Sequence, residues 1–113
     1  MSDADDDSAL LRQQRQFLQQ VGFELRHINR TTIHARIPEL NRESFMRLAT
    51  FAAELRSDWL QVALQLSASQ HGSSEAAELL ATLRERRLAY EEARDAFSAL
   101  ERTIEQGYVD IGA

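Results

Sequence analysis

The sequence predicts a mainly α-helical domain with one small β element, and therefore an α+β fold. Three observations lead to this prediction. Residues 41–69 and residues 74–106 carry apolar side chains at helical spacing, whereas residues 23–37 are richer in β-branched side chains and alternate in polarity. The expected order is a short helix, a β-hairpin and a long antiparallel helical hairpin, in a single domain that spans residues 8–113.

The central helix, residues 41–69, is predicted by a stripe in steps of three and four. Its members are Phe45, Leu48, Ala52, Leu55, Trp59, Val62 and Leu66. A second stripe contains Met46, Leu60 and Leu64, so we expect the helix to be packed on two sides. Asn41 is the expected N-cap.

The third helix, residues 74–106, has the same spacing, with Gly107 as its expected terminator. The short connection to the central helix predicts an antiparallel helical hairpin with a coiled-coil-like seam. In the expected alignment Leu55 lies near Tyr90, and Arg86 lies over the Trp59 indole. Within the C-terminal tail, residues 107–113, the run from Tyr108 to Ile111 alternates like a strand. It is expected to lie where it can pair with the β-hairpin of the same chain or of a partner copy.

The N-terminal region divides into three predicted parts. Residues 1–7 form a mobile acidic tail, and residues 8–21 form a helix that Gly22 can end. For residues 23–37 two interpretations stay open. The β-branched run before Ile33 favours a β-hairpin, whereas a heptad that passes through Leu18 and Leu25 favours a continuing helix and an all-α three-helix bundle.

Composition excludes several classes of protein. Four of the 18 acidic residues lie in the N-terminal tail, which leaves 14 acids against 13 arginines and a nearly neutral remainder. The lack of lysine is typical of a GC-rich bacterial genome, and the lack of cysteine fits a reducing cytoplasm. Neither a signal peptide nor a membrane span is expected, and DNA or RNA binding is disfavoured.

The pair Glu24 and His27 matches the Glu-x-x-His spacing of ferritin-like metal proteins, with Glu54 or Glu91 as possible further ligands. This alternative hypothesis requires a helix through Gly22, because a strand would point the two side chains to opposite faces. A salt pair on a strand beside a half-buried histidine is the favoured interpretation, so no metal or other cofactor is expected.

Two further motifs have ordinary explanations. Arg84, Arg86 and Arg87 form a basic strip that fits a nucleic-acid-binding regulator, but interleaved acidic residues favour a solvated helix face. The serines around His71 resemble helix caps more than nucleophiles, since nothing in the sequence supplies an orienting acid or an oxyanion hole.

The sequence therefore favours a non-enzymatic interaction module, an adaptor or small chaperone-like protein of the bacterial cytoplasm that acts as a homodimer. The observation behind this hypothesis is a two-sided central helix without any convergent polar cluster for chemistry. The residues expected to form the dimer surface, or the surface for an unidentified protein partner, are Phe23, Ile33, Ile37, Met46, Leu60 and Leu64.

Overall fold

The computed structural model describes residues 3–112 and folds them into three long helices. Helix α1 spans Asp3–Arg36, α2 spans Arg42–Ala68 and α3 spans Ser74–Glu105. The described residues contain no β-strand, so the predicted α+β class is wrong and the fold is all-helical. The helical hairpin of α2 and α3 is confirmed.

The predicted β-hairpin at residues 23–37 is replaced by the second half of α1. Its turn would have needed a residue at positive φ, yet in the described chain only Gly72 and Gly107 adopt one. The three β-branched residues before His34 each lower helix propensity by only about 0.7 kcal/mol or less, and an isolated two-stranded hairpin is marginal in water. The helix therefore continues through Gly22, as the heptad interpretation required.

Both ends of α1 follow from local chemistry. The predicted acidic tail contributes residues 3–7 to the first turns of α1, while Met1 and Ser2 lie outside the described residues. Pro38 limits the other end, since proline disfavours helical geometry at the preceding residue and the helix stops at Arg36.

The hairpin helices begin with side-chain caps. Asn41 Oδ1 accepts a hydrogen bond from the Ser44 backbone N–H at 2.8 Å, and Ser44 Oγ accepts one from the Asn41 N–H at 3.2 Å. This capping box supports the predicted start of α2. Ser73 caps α3 by accepting from the Ala76 N–H at 3.1 Å.

The α2–α3 hairpin packs around Tyr90, which is only 6% exposed. Trp59 stacks on its ring at a centroid distance of 5.6 Å, and Arg56 donates two hydrogen bonds to Tyr90 Oη, at 3.0 and 2.6 Å. The predicted partner of Trp59 was Arg86, which is exposed instead. Tyr90 faces Trp59 where Leu55 was expected, so the two helices pack about one turn from the predicted alignment.

A C-terminal clasp, residues 107–112, closes the open end of the hairpin. Gly107, at φ 75°, ends α3 in a Schellman motif in which Tyr108 N–H donates to Thr103 O at 3.0 Å. The chain then turns back, and Gly112 N–H donates to Leu40 O at 2.7 Å in a single parallel bridge. The tail thus pairs with the α1–α2 linker and not with the predicted β-hairpin.

Helix α1 projects from this unit. Among the described residues, helix-to-helix packing occurs between α2 and α3 alone, so the three-helix bundle of the alternative prediction is not formed. The radius of gyration is 23.4 Å, whereas a compact chain of this length would have about 13 Å. Arg30 ties the base of α1 to the clasp, donating to Gly107 O at 2.9 Å and pairing with Asp110.

Candidate interaction surface

Among the described residues, one face of α1 carries a long unpartnered apolar surface. Six of its large side chains, each between 51% and 66% exposed, lie on a stripe about a third of the helix circumference wide. These residues are Leu10, Leu11, Phe17, Leu18, Leu25 and Ile28. Half-buried Val21 lies among them. We call this set the α1 stripe.

The α1 stripe contains a regular heptad pattern. Leucines at 11, 18 and 25 recur every seven residues, and Val21 and Ile28 recur in the intervening position. A globular protein rarely leaves so many large apolar groups on one contiguous face unless that face binds something. The dimer surface expected from the sequence did not include the α1 stripe. The heptad that marks the stripe is visible in the sequence if the first helix continues through Gly22.

Three of the expected surface residues lie on or next to α1, spread along its second half from Phe23 to Ile37. Phe23 is 76% exposed and lies on the side of α1 opposite the α1 stripe, as its spacing from Leu18 and Val21 requires. Ile33 is half-buried, and Ile37, just after the helix end, is 37% exposed. Their assignment to one sheet face depended on the β-hairpin, which is absent.

The other three expected surface residues share one face of α2. Met46, Leu60 and Leu64 are exposed and lie along a single stripe, the α2 stripe, on the side of α2 that does not form its seam with α3. Leu64 is 72% exposed. The structure thus places these three residues on one side of α2, and their role as a partner surface stays a prediction.

A shallow groove of about 530 Å³ lies between α2 and α3. Its lining includes the apolar residues Trp59, Leu80 and Leu83 and the basic residues Arg84 and Arg87. Such a groove suits a peptide or a helix more than a small molecule, since small-molecule sites are usually enclosed and contain convergent polar groups.

The continuous helix satisfies one condition for the metal hypothesis. Glu24 and His27 lie one turn apart on α1, so both can face the same side. Within residues 3–112, however, no group of three histidine, aspartate or glutamate side chains converges to hold a metal ion. Neither Glu54 nor Glu91 approaches them, because both belong to the α2–α3 hairpin.

The three arginines of the basic strip on α3 do not lie on one surface. Arg84 and Arg87 line the groove, and Arg87 also pairs with Glu91 at 3.8 Å. Arg86 is exposed and does not line the groove. This mixed-charge surface differs from the clustered positive charge that nucleic-acid binders usually present.

The serines around His71 make hydrogen bonds to the backbone at two helix ends. Ser69 Oγ donates to Leu66 O at 2.7 Å, and Ser73 Oγ donates to Gln70 O at 2.6 Å while capping α3. Both are helix-end residues, and His71 is exposed beside them. The loop therefore has the geometry of two consecutive helix ends, as the sequence indicated.

Comparisons with protein-family models, with curated proteins and with solved structures found no match to this chain. Over the described residues, none of the helices has an apolar stretch long enough to cross a membrane.

Proposed function

We propose that this protein is a non-enzymatic interaction module of the bacterial cytoplasm that acts as a homodimer. The observation that carries this proposal is the α1 stripe, a row of large apolar side chains that its own hairpin does not cover. A second copy brings an identical stripe, so self-association removes both from water.

The α2 stripe supports the adaptor part of the proposal. It lies on the hairpin, separate from α1, and keeps Met46, Leu60 and Leu64 exposed. Pairing through α1 leaves this surface free for a different protein. A dimer would then present two copies of it, which raises the apparent affinity for a multivalent partner.

Native mass spectrometry and sedimentation equilibrium test the self-association. The parent is expected to be a dimer, and Leu18→Glu is expected to raise the dimer dissociation constant at least about tenfold, because it buries a carboxylate at the pairing surface. Phe23→Glu is the matched control, since it adds the same charge to the opposite side of α1. This variant is expected to remain a dimer. A parent that is monomeric at about 100 μM would contradict the proposal.

The same spectra, recorded without chelator, separate this proposal from the ferritin-like alternative. An iron-sized adduct that disappears in His27→Ala would favour a metal site at Glu24 and His27 instead.

For the adaptor surface, quantitative affinity purification with the parent and with Leu64→Glu is the relevant comparison. A partner of the α2 stripe should be enriched by the parent and lost with Leu64→Glu, while Phe23→Glu retains it.

A further inference from the structure

The α1 stripe also contains information about how two copies pair. We infer that α1 pairs antiparallel with α1 of a second copy, about a two-fold axis that passes between Gln19 and Gln20. This inference rests on the proposed function, since it specifies the geometry of the same dimer.

Four of the seven residues of the α1 stripe align with one another about that axis, while Leu10 and Phe17, at the edge of the stripe, align with Asn29 and Gly22. In this arrangement residue 19 of one copy lies at the same height as residue 20 of the other. In general, two residues lie at the same height when their numbers add up to 39. Leu11 then aligns with Ile28 of the partner copy, and Leu18 aligns with Val21. Leu25 aligns with Gln14, the one polar member of these three layers. The α1 helix itself, Asp3–Arg36, has its midpoint at the same place, so the two helices overlap over their full length.

The charge pattern favours the antiparallel direction. The first turns of α1 carry Asp5, Asp6 and Asp7, whereas the segment from residue 25 to its end carries three arginines and no acidic residue. Antiparallel pairing brings the acidic end of each helix against the basic end of the other. Parallel pairing in register would place aspartates beside aspartates and arginines beside arginines.

The heptad chemistry disfavours a parallel dimer as well. Two-stranded parallel coiled coils prefer β-branched residues at the first core position and leucine at the second. In α1 the order is reversed, because Leu18 and Leu25 take the first position and Val21 and Ile28 take the second. In parallel coiled coils this reversed order shifts the preference from two strands to three or four.

The position of the hairpin is compatible with this arrangement. The clasp holds the α2–α3 hairpin at the C-terminal end of α1 through Arg30. At about 1.5 Å rise per residue, α1 is roughly 50 Å long. Antiparallel pairing thus places the two hairpins at opposite ends of the paired helices, whereas parallel pairing would crowd them at one end.

Pulsed electron paramagnetic resonance on the full chain tests the direction. The described chain has no cysteine, so Ala9→Cys and Gln20→Cys each introduce one spin label per copy. Both positions point away from the heptad core. Antiparallel pairing places the two copies of residue 9 roughly 31 Å apart along the helix axis, from 21 residues at about 1.5 Å each, and the two copies of residue 20 at nearly the same height.

The expected result is a dimer with a long distance for the label at residue 9 and a short distance for the label at residue 20. A dimer with short distances at both positions indicates parallel pairing, and long distances at both indicate that α1 packs on the partner's hairpin. Either result overturns the antiparallel inference but leaves the homodimeric module standing. A labelled protein with the mass of a monomer removes both proposals, and an assembly of more than two copies overturns the two-helix pairing.

Discussion

Helix α1 and the α2–α3 hairpin have similar apolar spacing but very different surroundings. On α2 the main stripe meets α3, so Val62 is buried and Trp59 stacks on Tyr90. On α1 the corresponding stripe meets nothing within the described chain. Amphipathic spacing therefore determines that a face requires a partner, but the length and direction of the connecting segments determine whether the same chain supplies it.

The connections explain the difference between the two regions. Residues 69–73 reverse the chain between α2 and α3, and this short connection makes the two helices antiparallel neighbours. The linker after α1 contains Pro38 and pairs with the clasp through Leu40, which fixes the exit direction of α1 away from the hairpin. In this arrangement α1 makes no packing contact with α2.

The largest effect should come from removing the central contact of the hairpin. Tyr90→Ala deletes a buried ring between Trp59 and Arg56, and we expect it to lower the free energy of unfolding by about 3–5 kcal/mol. Leu18→Ala, measured at a protein concentration below the dimer dissociation constant, should change the free energy of unfolding by less than about 0.5 kcal/mol. Urea denaturation followed by circular dichroism measures both, and equal losses would contradict the distinction between a packed hairpin and an unpacked α1.

A smaller effect is expected at the glycine that ends α3. Gly107→Ala places a Cβ on a residue at φ 75°, which costs about 1–2 kcal/mol in the left-handed region. No neighbouring atom lies within 4 Å of that Cβ, so the cost comes from the backbone alone. Thermal unfolding should show a lowered midpoint, and an unchanged midpoint would mean that the clasp does not depend on this Schellman turn.

The opposite sign is expected at the glycine inside α1. Gly22→Ala adds a Cβ that would meet no atom within 4 Å apart from its chain neighbours and the backbone of its own helix. Alanine stabilises a helix interior by about 1 kcal/mol relative to glycine. Amide hydrogen exchange across residues 15–30 should slow. Faster exchange there would show that the chain bends at Gly22 and would weaken the description of α1 as one rigid element.

The smallest effect is expected at the base of α1. Arg30→Ala removes the ion pair with Asp110 and the hydrogen bond to Gly107, but both side chains of the pair are about half exposed. Exposed pairs contribute about 0.2–1 kcal/mol, so global stability should change little. Hydrogen exchange should instead become faster at residues 107–112. Arg26→Ala, one turn earlier on α1, is the matched control. A similar increase in the exchange rate of residues 107–112 in that variant would contradict a specific role of Arg30 in holding the clasp.

What the sequence by itself determined was local. The apolar steps of three and four predicted the hairpin helices. The side chain of Asn41 and the glycine at position 107 marked two helix ends, because capping depends on a few adjacent residues. The same local logic failed over residues 23–37. There the β-branched run near Ile33 and the heptad through Leu25 indicated different structures, and their intrinsic preferences differ by about 1 kcal/mol or less.

Tertiary structure alone decided which apolar faces were covered. Burial of the Tyr90 ring required the two hairpin helices to align about one turn away from the expected register, since packing depends on side-chain shape and not on spacing alone. The α1 stripe stays exposed, while the clasp contacts the base of α1 through Arg30 and the α1–α2 linker through Leu40. Contacts between residues about 70 to 80 positions apart are invisible to local periodicity, and here they separate a folded hairpin from a helix whose apolar face remains open for a partner.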